Sequence, residues 1–388
     1  MRGESNEAGL EGVVVADTRL SDVDGERGRL VIAGRDVEEL EELEALEGVA
    51  GAWRFEEVCA LLWSAGRAGA GSNAGAPADE VKRRIGLARQ RAFQRLPRLG
   101  DALARGSGMD ALRAGLAHAD ADGEPLEDAA ALTGATAVFL AAWLRGRAGA
   151  APVAPDASLG HAEDLLRMAL GVDPHPDRAR ALDAYLVTVS DHGMNASTFA
   201  ARVVASTGSD MVSAVVAAVG ALKGPLHGGA PGPVLDMLDA IGAPEHARAW
   251  IERELAAGRR IMGMGHRIYR VRDPRAAVFE KQVERLAATG AARAAGRLAL
   301  ARAVEREAEA ALAARHPERP LRANVEFFTA VLLEAVGLPR EAFSPAFAAG
   351  RVAGWCAHVM EQRAHGRLIR PASRYVGASP AGPARPTA

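Results

Sequence analysis

From Phe55 onward the chain is written almost entirely in strong helix formers. Ala, Leu, Arg and Glu dominate, and runs of β-branched residues are rare. Such residues lose little side-chain freedom in a helix, so the sequence confines the chain to a mostly α architecture. One small β element is expected near the start, where Ser21-Asp22-Val23-Asp24-Gly25 carries a turn signal. The short apolar run Arg29-Leu30-Val31-Ile32 follows it, and together they read as a hairpin. Apolar spacing then predicts helices over 55–65, from Asp79, and over 161–170, 177–190, 196–222, 233–241, 245–257, 274–289, 292–315 and 327–336. A Gly/Ala/Ser loop at 66–77, a Pro-bearing loop at 149–160, Gly224-Pro225, His316-Pro317 and Gly337 with Pro339 interrupt them.

A chain of 388 residues, 49% hydrophobic and 25% charged, can bury a large core and is expected to divide into two domains. With 47 basic and 49 acidic residues the formal net charge is −2, which gives no general field for nucleic acid or an anionic membrane. Residues 1–9 lack the basic-then-apolar pattern of a signal peptide, and no apolar run reads as long enough to span a bilayer. A cytoplasmic protein is expected. The two cysteines, Cys59 and Cys356, sit in apolar helical patterns without metal-site spacing, so neither a disulfide nor a structural metal is expected. Residues 1–8 and 378–388, rich in small or polar residues, read as disordered ends.

The chemistry gathers where helices stop. His227 lies in Gly224-Pro225-Leu226-His227-Gly228-Gly229, and His266 lies in Gly263-Met264-Gly265-His266-Arg267. Glycine permits close backbone approach or positive φ and proline forbids helix continuation, so each imidazole sits at a loop end. A turn histidine can equally be a satisfied structural group. Gly263-x-Gly265 is too short for a dinucleotide fingerprint, because no strand precedes it and no third glycine follows. Glu326 follows Asn324, a good N-cap, and opens a helix. It either complements the helix dipole or supplies a carboxylate base.

Arginines at 275, 351 and 370 stand in apolar or Pro-bounded settings, where a guanidinium requires an anionic partner. Together they could read a small di- or tricarboxylate bidentately. His192, in Asp191-His192-Gly193-Met194-Asn195, lies before the 196–222 helix and could donate to the same anion or simply cap the turn.

In this order, DHGMNASTFAARVVAST, GALKGPLHGGA, GMGHRIYRVRDPRA, NVEFF, FAAGRVAGWCAH and RLIRPASRYVG resemble the citrate synthase family. The likeness extends from about Gly9 to Gly377. It implies a two-domain, mostly α fold, at least a homodimer, with a large domain of residues 1–229 and 337–388 and a small domain of 230–336. The implied reaction is condensation of acetyl-CoA with oxaloacetate and water to citrate and CoA, with no metal and no cofactor beyond the thioester substrate. By position within the motifs, Glu326 would be the base, His227 the donor to the forming enol, and His266 the donor to the ketone oxygen. His192, Arg275 and Arg351 would hold oxaloacetate, Arg370 would reach in from the partner subunit, and Gly263, Met264 and Gly265 would lie along the CoA arm. Two alternatives remain: 2-methylcitrate synthesis from propionyl-CoA, and a silent relative that binds a carboxylate or CoA without turnover. The chain departs from the family pattern at Glu326, where aspartate is usual, at Ala230-Pro231, where Ala-Asn is common, and at Ala372, where a second arginine often stands near Arg374.

Overall fold

The computed structural model describes residues 10, 12–42, 53–67, 76–120, 122–227, 231–266, 268–289, 292–318, 321–373 and 375–377. The expected disordered ends, most of the 66–77 loop, and Gly228, Gly229, Ala230, Arg267 and Arg374 lie outside these residues.

Three short antiparallel strands open the described chain: β1 (Ser21–Asp24), β2 (Arg29–Ile32) and β3 (Arg35–Asp36). The hairpin is present, but Ser21–Asp24 is its first strand and not its turn. Ser21 pairs with Ile32 and Asp24 with Arg29, which leaves residues 25–28 to turn the chain. Leu30 and Ile32 face inward and are fully buried, so side-chain alternation across the pleat sets this register.

Helices follow: α1 (Glu39–Glu42), α2 (Phe55–Arg67), α3 (Ala78–Arg95), α4 (Gly108–Leu116), α5 (Pro125–Arg147), α6 (His161–Leu170), α7 (Pro176–Val189), α8 (Ala196–Ser206) and α9 (Met211–Leu222). After them come α10 (Pro231–Ile241), α11 (Ala247–Ala256), α12 (Pro274–Ala288), α13 (Ala292–Arg315), α14 (Val325–Val336) and α15 (Phe343–His365). The single helix expected over 196–222 is two. Gly208 turns left-handed at φ +84°, and the Asp210 side chain caps α9 by accepting from the Ser213 N–H at 2.7 Å. Helix propensity alone does not reveal that cap, because the flanking residues favour helix on both sides.

Contrary to the sequence expectation, α5 is long and apolar enough to cross a membrane, but 83% of its most apolar stretch is buried inside the protein. It is apolar on all sides because it is surrounded, packing on α3, α4, α6 and α15. The other central helix is α15, which touches α2, α5, α7, α8 and α9. Gly350 and Gly354, one turn apart on α15, let its backbone lie directly on α7. A Cβ at Gly350 would come within 3.1 Å of Leu186 O, and one at Gly354 within 2.8 Å of the Asp191 carboxylate. The Gly354 N–H instead donates to Ser190 O at 3.1 Å. This contact brings α15 against the turn that carries His192. Helices α10 to α14 pack chiefly on one another and meet the rest of the protein mainly where α12 and α14 lie on α7.

Candidate active site

The site forms where five helix ends, those of α7, α8, α9, α12 and α14, meet the middle of α15. At the end of α7 the chain turns through Asp191 and His192, and Asn195 caps α8 by accepting from the Ser197 and Thr198 N–H groups, each at 3.1 Å. The buried Asp191 carboxylate receives the Ser21 hydroxyl at 2.5 Å and faces His358 Nε2 at 3.1 Å, and the Gly193 N–H donates to the same serine oxygen at 2.8 Å. The N-terminal sheet is thereby bolted to the turn that presents His192. Burial alone would raise the Asp191 pKa, but His358, Arg351 and Ser21 hold it below the usual carboxylate range.

His192 is buried, with Nε2 3.1 Å from Tyr269 Oη. Burial, reinforced by Arg275, Arg351 and His266, drives its pKa well below that of a free histidine. His227 lies in the turn after α9. Its Nε2 receives the Ser197 backbone N–H at 3.2 Å and lies 2.8 Å from the Ser197 hydroxyl. A nitrogen that accepts an amide proton cannot carry one, so the proton of the neutral ring sits on Nδ1. Burial, with Arg351 adding, pushes this histidine down to about 4. Ser197 is itself pinned, since Trp355 Nε1 donates to its hydroxyl oxygen at 3.1 Å.

The loop before α12 carries His266. Its Nδ1 accepts from the Ile268 and Tyr269 N–H groups at 3.0 and 3.1 Å, which leaves the ring proton on Nε2. Burial, with Arg275 adding, lowers its pKa to about 4. The His266 and Tyr269 rings are 4.8 Å apart and the His192 and His266 rings 6.0 Å, so the three form one aromatic cluster.

The glycines before His266 have a structural reason. Gly263 and Gly265 adopt φ of +74° and +87°, and the strip they flank pairs with the segment leading into α14. The Asn324 N–H donates to Gly263 O at 2.9 Å, the Gly265 N–H to Arg322 O at 2.7 Å, and Asn324 Nδ2 to Gly265 O at 2.9 Å. A Cβ at Gly263 would sit 2.9 Å from Phe327 Cδ2. This pairing fixes Glu326 relative to His266. Glu326 occupies the first turn of α14, and its N–H donates to Asn324 Oδ1 at 3.0 Å. Burial pushes its carboxyl up to about 7, with Arg275 opposing and Asp273 adding.

Two of the three arginines join the cluster. Arg275 is held by Asp273 in a two-point pair, Nε to Oδ1 at 2.9 Å and Nη2 to Oδ2 at 2.7 Å, and Asp273 Oδ2 also accepts the Val325 N–H at 3.2 Å. Burial works against the Arg275 charge, but Asp273 more than offsets it and its pKa is raised. Arg351, in the middle of α15, is 1% exposed. Its Nε donates to Val189 O at 2.6 Å, whereas Nη2 meets no partner among the described residues. Burial pulls its pKa down to about 10, with Asp191 opposing and Arg275 adding. Arg370 does not join them. It is exposed and lines a separate cavity of about 510 Å³ with Leu10, Val13, Phe199 and Gln362.

A buried, half-unsatisfied guanidinium beside a second arginine, three neutral imidazoles and a carboxyl poised near neutrality is a constellation for holding a polyanion and moving protons. The family profile described as "Citrate synthase, C-terminal domain" matches residues 9–372. The chain belongs to the citrate synthase family. A citrate synthase of Haloferax volcanii is 37% identical over 382 residues, covering 95% of each chain. A 2-methylcitrate synthase of Mycobacterium tuberculosis is 35% identical over 383 residues, 95% of this chain and 90% of that one. Relatives in Mycobacterium tuberculosis and Mycobacterium bovis reach 46% over 211 residues, so the chain spans about half their length, 55%. Among solved structures, the citrate synthase of Thermoplasma acidophilum, in ternary complex with carboxymethyl coenzyme A and oxaloacetate, aligns at TM-score 0.81 and 27% identity, covering 96% of this chain and 97% of that one. The citrate synthase of Thermotoga maritima aligns at 0.78 and 30%, covering 97% and 98%.

This member of the citrate synthase family keeps the fold expected from its motifs, and its structure brings His192, His227, His266, Arg275, Glu326 and Arg351 close enough to act on one another in a chain of ring contacts and electrostatic influences. Sequence reasoning passed over Ser197, Asp273, Tyr269 and Asp191, which orient those side chains. Asp273 and Asp191 were visible only as neighbours of the residues they hold. Nothing in the spacing of Ser197 reveals its contact with His227, thirty positions away.

Proposed function

We propose that this protein condenses acetyl-CoA with oxaloacetate and water to give citrate and free CoA. The observation that carries the reading is the Arg351 guanidinium, buried with Nη2 unpartnered and set near Arg275, which suits a carboxylate of oxaloacetate. Glu326, pushed up to about 7, is matched to remove a proton from the thioester methyl near neutral pH. The Nδ1–H of His227 would stabilise the enol oxygen, and a neutral imidazole suits that task because it donates without carrying charge. The enol carbon then attacks the ketone carbon of oxaloacetate, and the ketone oxygen takes up its proton from the Nε2–H side of His266. Water cleaves the resulting thioester to release CoA. His192 would complete the oxaloacetate cradle.

In this reading residues 230–336 form the lobe that closes over residues 1–229 and 337–388, Gly263 to Gly265 lie along the CoA arm, and no metal or further cofactor is needed. The exposed position of Arg370 favours its service in the site of a second copy, which makes a homodimer the working unit. Propionyl-CoA, giving 2-methylcitrate, is the second reading, because the chain is about as similar to a 2-methylcitrate synthase as to a citrate synthase. One methylene in an acyl pocket changes selectivity by about 1–3 kcal/mol. Thiol release from CoA, measured with oxaloacetate and either acetyl- or propionyl-CoA, tests both readings. The larger kcat/KM names the substrate, and no release with either thioester overturns the proposal.

A further inference from the structure

Tyr185 is fully buried on α7, and its hydroxyl meets no hydrogen-bond partner among the described residues. A buried phenol is normally satisfied, so an orphaned one calls for an explanation. Its surroundings supply one. Tyr185 lies one helical turn before Val189, whose carbonyl accepts Arg351 Nε at 2.6 Å, so both face α15 from the same side of α7. On its other side the Tyr185 ring packs against Phe279 of α12, with centroids 5.3 Å apart. Phe279 is itself one turn beyond Arg275 on that helix. The tyrosine therefore stands between the two arginine-bearing helices, close enough to Arg351 and Arg275 to feel both charges, and Arg351 likewise has a buried, unpartnered Nη2.

We infer that Tyr185 is a substrate-binding residue whose hydroxyl donates to the carboxylate held by Arg351 and Arg275. The inference rests on the proposed use of a small 2-oxo dicarboxylate. Both orphaned groups are donors, and one carboxylate with its several lone pairs satisfies both at once. Burial raises the phenol's pKa and outweighs the opposing charges of Arg351 and Arg275, so it stays protonated and able to donate at neutral pH. Because α7 is the element on which α12 and α14 lie, a ligand bonded to Tyr185 would also bridge the two groups of helices.

The test is Tyr185→Phe in the full-length protein, which removes one oxygen and keeps the ring. Thermal unfolding is followed with and without oxaloacetate, alongside KM for each substrate. The expected result is an unliganded Tm equal to or above the wild type, because the removed hydroxyl had no partner. Oxaloacetate should bind about tenfold more weakly, the strength of one hydrogen bond to a charged group, so its Tm shift shrinks. KM for the thioester should stay within about twofold. A lower unliganded Tm would mean that the hydroxyl is satisfied structurally, by buried water or otherwise, and would overturn the inference. So would an unchanged oxaloacetate shift. If wild-type protein shows no oxaloacetate shift at all, the proposed function fails and not only the role of Tyr185.

Discussion

Replacing Glu326 by Gln should abolish turnover and stabilise the protein, by an amount that depends on pH. Burial raises this carboxyl from 4.5 in an unstructured chain to about 7 in the folded protein. A carboxyl raised on folding costs stability wherever the unfolded chain would ionise, so the cost is absent below pH 4.5, grows as pH rises, and is complete above about 7. At about 1.36 kcal/mol per pH unit, the full cost is about 3 kcal/mol, and about 1.4 kcal/mol of it is already present near pH ~5.5. Gln has nearly the same shape and no charge, so it relieves that cost. The assay is urea unfolding of both proteins across this range. The stability advantage of Glu326→Gln should widen by about 2 kcal/mol between pH ~5.5 and ~8.5. The wild-type kcat/KM should show an acid limb near 7, because His227 and His266, both near 4, are already neutral there. An advantage that is flat with pH, or an activity limb near pH 4 alone, would refute the argument that burial holds this carboxyl at neutrality.

Three further outcomes follow from the same geometry. Ser197→Ala removes the hydroxyl that lies 2.8 Å from His227 and orphans the buried Trp355 Nε1, so it should cost about 1–3 kcal/mol in urea unfolding and lower kcat more than it raises either KM. Asp273→Ala leaves the buried Arg275 charge unpaired, with an expected loss of about 3–5 kcal/mol by the same assay and of oxaloacetate binding by calorimetry. Gly263→Ala must hold an L-residue at φ +74° with its Cβ 2.9 Å from Phe327. A destabilisation above about 1 kcal/mol is expected, and a neutral effect would show that the strip pairing with Ala323 is not rigid.

Much of the architecture was legible in the residues themselves because its causes are local. Helix propensity, Asn324 as a cap and Gly337 as a left-handed stop at φ +98° act within one turn, and the boundaries of α6 and α13 fell where the spacing placed them. The break between α8 and α9 was harder, since the Asp210 cap competes with good helix formers on both sides. Helix α5 is absent from the helices expected from apolar spacing for a different reason: enclosure by α3, α4, α6 and α15 leaves it with no polar face, so no amphipathic period marks it. Motif order, which survives in the linear chain, also pointed to the side chains proposed here as acid, base and cation. Tertiary structure alone decided what those groups become. A carboxyl at about 7, imidazoles near 4 with fixed tautomers, and a guanidinium left half-satisfied all depend on burial and on partners such as Ser197, Asp273 and Val189 that are brought in from elsewhere in the fold. Charge and protonation follow from the dielectric and the neighbours around a group, and folding, not sequence adjacency, supplies both.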